Sequence, residues 1–167
     1  MSRFKELLKD YLAGPGELRA AVSGMNKDQV LARPIAGKMS TLEVVCHLTD
    51  FDPIMADRMK RVIALENPVL TGADENLFLK SLAYQERDLQ EELALLEITR
   101  AQMGRILNHA GETALARKGN HTERGEVSLE KLLEGAIRHV RHHLGFILEK
   151  KKALGIENPG PKNQNSQ

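Results

Sequence analysis

The chain has 167 residues, 41% of them hydrophobic and 28% charged, which is the balance of one globular domain. Its 24 basic and 23 acidic residues give a formal net charge of +1, which lacks the basic excess that nucleic-acid binding requires. A single cysteine excludes an internal disulfide framework, and no stretch reaches the length of about 20 apolar residues that spans a bilayer. We therefore expect a cytoplasmic protein without nucleic-acid or membrane partners.

Helical periodicity dominates the sequence, and no window shows the strict alternation of a half-buried strand. The first helix is predicted from about Phe4 to Met25. The run Gly14-Pro15-Gly16 interrupts it, because proline removes a backbone donor and disrupts a helix interior. We therefore expect a short helix, a break, and a second helix that starts near the proline.

The second helix is predicted to begin at a clear N-terminal cap. Ser40 and Glu43 have the spacing of a capping box, in which each side chain bonds the backbone amide of the other residue. The helix continues to about Leu65 and ends before Pro68. Pro53 lies inside it and is expected to kink it.

The remaining chain contains two further predicted helices. The third and longest covers about Asp74–Ala110, and Gly111 stops it. A polar loop, Arg117–Val127, leads to the fourth helix, Ser128–Leu154. The charged run at residues 149–152 is expected to be solvated, because cations are favoured at the negative end of a helix.

Four long amphipathic helices predict an all-α four-helix bundle, for which an up-down order is the simplest arrangement. The loops are longer than a tight bundle needs, so we expect one or more crossovers. The bundle is predicted to take residues 1–157. The tail 158–167 is rich in Pro, Gly, Asn and Gln, and it is expected to be disordered.

Three histidines are predicted to face the bundle interior. An α-helix turns about 100° per residue, so His143 lies well inside the apolar arc of the fourth helix and His139 on its border. His142 falls roughly 60° outside that arc. His47 sits beside the apolar face of the second helix, which gives a third inward imidazole from another helix.

An inward pair at i, i+4 plus a third imidazole is typical of a metal site in a bundle core. Three neutral imidazoles bind Zn²⁺ or Ni²⁺ well and leave a coordination position open for water or substrate. The alternative is that the rings of His47, His139 and His143 fill the edge of the core and hydrogen-bond to backbone or carboxylates.

The order of these features resembles the DinB/YfiT superfamily over about Tyr11 to Leu154. The matching segments are Gly14–Leu18, Arg33-Pro34, Gly37–Asp50, Arg58, Asn67-Pro68, Tyr84, His121, Gly125, Ser128-Leu129 and His139–Leu144. Two departures stand out. Many relatives carry a tryptophan where this chain has Met39, and often a longer acidic residue near Asp52.

The resemblance implies a bundle with a metal site at His47, His139 and His143, and a homodimer. It also implies an activity on a small-molecule substrate, since the family is similar in fold to thiol-dependent S-transferases and includes isomerases that need a thiol. The expected mechanism is that a low-molecular-weight thiol binds the metal, loses its proton there and attacks a small electrophile. The alternatives are a metal-dependent hydrolase and a non-catalytic bundle that the metal only stabilises.

Other residues are weaker candidates for catalysis. Arg58 is predicted on the inward side of its helix, where it meets either a substrate carboxylate or, as we favour, a glutamate of the third helix. Asp52 and Glu43 are possible general bases for a hydrolase. His121 is expected to shape the site entrance. Cys46 is predicted to be a small buried hydrophobe rather than a nucleophile.

Overall fold

Four long helices form the fold of the computed structural model, which describes residues 2–156. They are α1 (Arg3–Val22), α3 (Thr41–Ala64), α5 (Leu89–Ala110) and α6 (Leu129–Ala153). Short helices α2 (Lys27–Leu31) and α4 (Glu75–Ser81) and two 3₁₀ turns, Tyr84–Glu86 and Glu112–Ala116, lie between them. The predicted four-helix bundle is confirmed. The tail 158–167 lies outside the described residues.

The predicted starts of two helices are confirmed in detail. Ser40 Oγ accepts from the Glu43 amide at 3.1 Å, and the Glu43 carboxylate accepts from the Ser40 amide at 2.6 Å, so the capping box is complete. Ser128 Oγ accepts from the Lys131 amide at 3.3 Å at the start of α6. Among residues 2–156, none of the helices combines the length and apolarity that a membrane crossing requires.

The helices do not alternate strictly in direction. α1 packs against α5 and α6, and so does α3, while α1 and α3 lie on a diagonal. Arg3 bonds Glu134 near the start of α6 and Lys151 bonds the Ser23 carbonyl near its end, so α1 and α6 are parallel. Arg19, late in α1, bonds Gln90 at the start of α5, so α5 runs the opposite way.

The third helix of the bundle runs parallel to the second. Thr49 contacts Glu92, and Lys60, later in α3, bonds Gln102, later in α5. The directions are therefore up, down, down, up. Because α3 and α5 are parallel, the connection over residues 65–88 crosses from one end of the bundle to the other. It is the crossover that was expected from the length of the loops.

The third predicted helix was too long at its N-terminal end. Ala83 has a left-handed backbone, with φ of 50°, and it separates α4 from the rest. Asp88 then accepts hydrogen bonds from the amides of Gln90 and Glu91 and starts α5 anew. Asp74 caps α4 in the same way. The apolar pattern continues across the break, which is why periodicity merged the two helices.

A small sheet lies in two regions that were predicted as loops, so its strands were missed within an otherwise all-α fold. β1 (Val69–Leu70) pairs in parallel with β2 (Lys118–His121), and β2 pairs antiparallel with β3 (Gly125–Ser128). These strands have two to four residues. Such segments are too short to show a period of two.

A buried arginine connects all four long helices. Arg100 of α5 donates to the Asp52 carboxylate on α3 through Nε at 2.9 Å and Nη2 at 2.7 Å. It also donates to the carbonyls of Tyr11 on α1, at 3.0 Å, and Ala136 on α6, at 2.9 Å. Both members of the ion pair are almost fully buried, at 1% and 2% exposure.

This arginine explains why the predicted break in α1 is absent. The helix runs through Pro15 without interruption. Pro15 has no N–H for the carbonyl of Tyr11, four residues earlier, and Arg100 supplies the missing donor. Gly14 leaves the necessary space, because a Cβ there would overlap the guanidinium of Arg100.

We expect Arg100→Met to destabilise the fold by about 3–5 kcal/mol, because it leaves the Asp52 carboxylate buried and unpaired. The control is Arg19→Met, which removes the exposed ion pair with Glu97 and should cost at most about 1 kcal/mol. Urea unfolding followed by circular dichroism measures both. Equal losses for the two variants would contradict the central role of Arg100.

Candidate metal centre

Three imidazoles from two antiparallel helices meet at one end of the bundle. His47 comes from α3, and His139 and His143 from consecutive turns of α6. One ring nitrogen from each lies within 4.8 Å of the others. Nε2 of His47 and Nε2 of His139 are 2.8 Å apart. The helical phase therefore predicted the grouping of these rings correctly.

The surroundings keep these three rings neutral. Burial is the main cause that lowers the pKa of all three rings. The neighbouring imidazoles also lower the pKa of His139 and His143, since two adjacent positive charges repel, and with both causes the pKa of each falls to about 3. Neutral imidazole is the form that binds a metal ion.

The arrangement fits a divalent metal. Zn–N bonds of about 2.1 Å place neighbouring ligand nitrogens about 3 Å apart or slightly more, close to the separation found between His47 and His139. His143 Nδ1 is buried and has no hydrogen-bond partner. Among residues 2–156, no fourth histidine, cysteine or carboxylate joins this group. A metal held here would have open coordination positions.

Glu75 is the acidic residue beside the cluster. Its carboxylate lies 3.9 Å from Nε2 of His47, and its side chain is 64% exposed. It sits in the first turn of α4, next to the Asp74 cap. The predicted third helix already began at about Asp74, but helical phase along one helix does not show which other helix its first turn approaches, so sequence reasoning missed Glu75.

A first cavity, of about 420 Å³, opens in front of the three rings. Its other walls include Ile35, Lys38, Met39, Leu79, Phe146 and Lys150. Lys150 and Lys151 are only 2% and 1% exposed, so the prediction of a solvated run was wrong for these two residues, whereas Glu149 and Lys152 are exposed. Lys150 lies seven residues after His143, and two helical turns bring both onto the same face. The phase argument that found His143 could have found Lys150.

A second cavity, of about 460 Å³, also reaches His139. Arg58 and His121 line it, together with Phe51 and Met55 of α3. His139, Glu75 and Asn76 line both cavities. The first cavity therefore borders all three rings and the second borders His139, and each is large enough for a small molecule.

Asp52 and Glu43 do not lie where a general base is needed. Asp52 is buried in the bundle core and its carboxylate bonds Arg100. The Glu43 carboxylate bonds Arg33 and the Ser40 amide in the capping box. These bonds hold both carboxylates in structural roles, and the interpretation of either residue as a base is corrected.

The favoured partner for Arg58 was also wrong. Arg58 does not pair with a glutamate of the predicted third helix, which corresponds to α4 and α5. Among residues 2–156 it has no ion-pair partner within 4.0 Å. Its Nε and Nη2 donate to the Thr71 carbonyl, at 3.1 and 2.5 Å. His121 lies at the end of β2, at the wall of the second cavity.

Cys46 does not take part in the cluster. It is fully buried, and Sγ bonds the Tyr84 carbonyl at 3.5 Å. Burial raises the pKa of its thiol to about 12, so it is not a thiolate at neutral pH. The prediction of a small buried side chain is confirmed.

A family model described as the DinB superfamily matches residues 11–147, which is most of the chain. The chain belongs to the DinB superfamily. A relative of this DinB protein from Oceanobacillus iheyensis is 27% identical over 133 residues, covering 80% of this chain and 77% of the relative. Its name describes it as a candidate metal-dependent hydrolase.

A solved structure, YfiT from Bacillus subtilis, has the same fold as this DinB protein. The TM-score is 0.86 at 22% identity, covering 94% of this chain and 91% of the other. YfiT is described as a probable metal-dependent hydrolase with an unusual four-helix bundle topology. At this identity the likeness establishes the fold.

We expect the metal-free protein to lose stability as the pH falls from about 6.5 toward 3, because unfolded histidines titrate near 6.5 and His139 and His143 only near 3. Over that range the unfolded chain binds more protons, so acid favours unfolding. Urea unfolding of chelator-treated protein at several pH values measures this dependence.

The matched variant is His139→Leu, which removes one of these titrating groups. Its free energy of unfolding should depend less steeply on pH than that of the wild type between about pH 6.5 and 4.5. An identical pH dependence for the two proteins would show that His139 titrates normally in the fold.

Proposed function

We propose that this DinB-superfamily protein is a metal-dependent enzyme that hydrolyses a small-molecule substrate. The observation that carries the proposal is the set of three neutral imidazoles, His47, His139 and His143, which faces a cavity and lacks a fourth protein ligand among residues 2–156. A structural metal site is normally closed by four protein ligands, whereas a catalytic one keeps a position open. The names of the two relatives support the same reaction class.

The expected metal is Zn²⁺ or Ni²⁺, because borderline ions of this kind prefer imidazole ligands. Such an ion lowers the pKa of a bound water to near neutrality, which supplies a nucleophile for hydrolysis. His47, His139 and His143 would hold the ion. The described part of the chain offers one free carboxylate at the cluster, that of Glu75.

Glu75 is our candidate for the general base. Its carboxylate has no arginine or lysine partner within 4.0 Å among the described residues, where its one ion-pair contact is with His47. Its side chain reaches both cavities from the first turn of α4. In this role it accepts the proton of the attacking water and later returns it to the leaving group.

A second candidate function is transfer of a low-molecular-weight thiol to a small electrophile. The observation that favours it is the presence of two cavities that share His139 in their walls, since a transferase has to hold two substrates. Coordination at the same open position would deprotonate the thiol. A third reading, a metal that only stabilises the bundle, is disfavoured by the missing fourth ligand.

We further propose that the protein is a cytoplasmic homodimer. Its one cysteine is free and buried, which suits a reducing compartment. Leu95 and Ile98, one turn apart on α5, are 44% and 68% exposed, and an exposed apolar stripe is the kind of surface that a second copy covers.

We expect about one equivalent of metal in untagged wild-type protein and a loss of metal in His143→Ala. His142→Ala is the matched control, because His142 is the exposed neighbour on the same helix and lies outside the ligand group. Elemental analysis after incubation with Zn²⁺ or Ni²⁺ and desalting measures the content. Absence of metal in the wild type would contradict the proposed function.

Glu75→Gln should retain its metal and lose about 100-fold or more in kcat toward a model ester such as p-nitrophenyl acetate, since general-base catalysis contributes that much. Glu91→Gln, an exposed glutamate in the first turn of α5, is the control. Full hydrolytic activity in Glu75→Gln would exclude this base. Activity that appears only when a thiol is added, measured as thioether formation, would favour the transferase.

A further inference from the structure

The second cavity contains a largely buried cation, Arg58, that has no ion-pair partner within 4.0 Å among residues 2–156. Arg58 is 8% exposed, and its only hydrogen bonds within the described chain go from Nε and Nη2 to the Thr71 carbonyl. Its Nη1 has no acceptor within the described chain and remains open to solvent in the cavity. A guanidinium removed from water normally faces a carboxylate or another anion, because an unpaired buried charge is unfavourable.

His121 adds a second donor to the same wall. Its Nδ1 accepts a hydrogen bond from the Glu123 amide at 3.2 Å, so the proton of the neutral ring resides on Nε2. Nε2 is buried and has no hydrogen-bond partner among residues 2–156, and His121 as a whole is only 3% exposed. Burial, Arg58 and Arg124 lower the pKa of His121, which keeps the ring in this neutral form.

The fold fixes both donors beside the histidine cluster. The parallel pairing of Leu70 with His121 brings β1 and β2 together, and Thr71, the residue after β1, holds the Arg58 guanidinium. His139 lines the same cavity, so a group bound by Arg58 and His121 lies beside the proposed metal.

We propose that the second cavity binds a carboxylate of the substrate through Arg58 and His121. This rests on the proposed function and specifies it: the substrate is a small organic acid whose reacting bond lies at the histidine cluster. A planar carboxylate matches one guanidinium edge and one imidazole N–H.

The other charges on the wall favour a single negative charge on this group. Arg124 is exposed and adds a second cation, whereas Glu75, Glu123 and Asp74 are acidic. The Asp74 carboxylate already caps α4 through the amides of Asn76 and Leu77. A phosphate dianion would meet repulsion from this acidic rim, and a monoanion less.

Binding of benzoate to the whole protein tests the proposal, with benzamide as the uncharged analogue and inorganic phosphate as the dianion. We expect isothermal titration to show benzoate binding more tightly than either. Arg58→Met should weaken benzoate binding about tenfold or more. Arg61→Met is the control, since Arg61 lies on the exposed side of the same helix and pairs with Asp57.

A second variant guards against a folding defect in Arg58→Met. Arg58→Lys keeps the charge and loses the fork of donors, so it should bind benzoate with intermediate affinity. In the chelator-treated wild type, benzoate should shift the ¹⁵N resonance of His121 Nε2. If Arg58 had only a structural role, benzoate would not shift that resonance, and Arg58→Lys would not change the preference for benzoate over benzamide.

Benzoate affinity that is equal in the wild type and Arg58→Met would overturn the proposal, as would tighter binding of benzamide or phosphate. The same titrations with His143→Ala separate this proposal from the proposed function. Benzoate binding that depends on Arg58 without metal supports the carboxylate site even if the wild type binds no metal. Benzoate binding that requires the metal and does not depend on Arg58 would overturn the proposed carboxylate site without contradicting the metal centre.

Discussion

The guanidinium of Arg100 is the interaction on which the rest of the fold depends. It bonds a carboxylate on α3 and carbonyls on α1 and α6 from its own position on α5, so one side chain sets the spacing of all four helices. Its partners lie close in sequence to the histidines: Asp52 follows His47 by five residues, and Ala136 precedes His139 by three. Because Arg100 fixes these two stretches against each other, the facing imidazoles are held in register before any ion arrives. Its charge also helps to lower the pKa of His139.

The histidine cluster illustrates how burial prepares a site for a cation. Moving three imidazoles out of water disfavours their protonated forms, and placing them beside one another disfavours those forms further. The rings therefore keep their lone pairs available down to acidic pH, and protons compete weakly with a metal. The same surroundings leave His143 Nδ1 without a partner. A buried group in this state makes the metal-free protein less stable, so ion binding and folding are thermodynamically linked.

Local chemical rules predicted the bundle, the start of α3 and the grouping of His47, His139 and His143, because capping and helical phase depend on residues a few positions apart. They failed where a distant residue decides the outcome. Pro15 is tolerated within α1 because Arg100, far away in the chain, replaces its missing donor. Asp52 looked like an available base because its partner lies on another helix. The three short strands left no periodic signal, since their pairing is non-local and each has at most four residues.

That unpredicted sheet connects the fold to the second cavity. β1 and β2 are too short to stabilise a domain. Their pairing places His121 near Arg58, which lies in the C-terminal half of α3. Both residues are largely buried, yet Arg58 Nη1 and His121 Nε2 have no hydrogen-bond partner among residues 2–156. Structural roles in this chain look different, since Arg100, Glu43 and Asp52 have carboxylate or guanidinium partners. Substrate recognition typically uses donors that the fold orients but leaves unpaired, because the ligand supplies the missing acceptor.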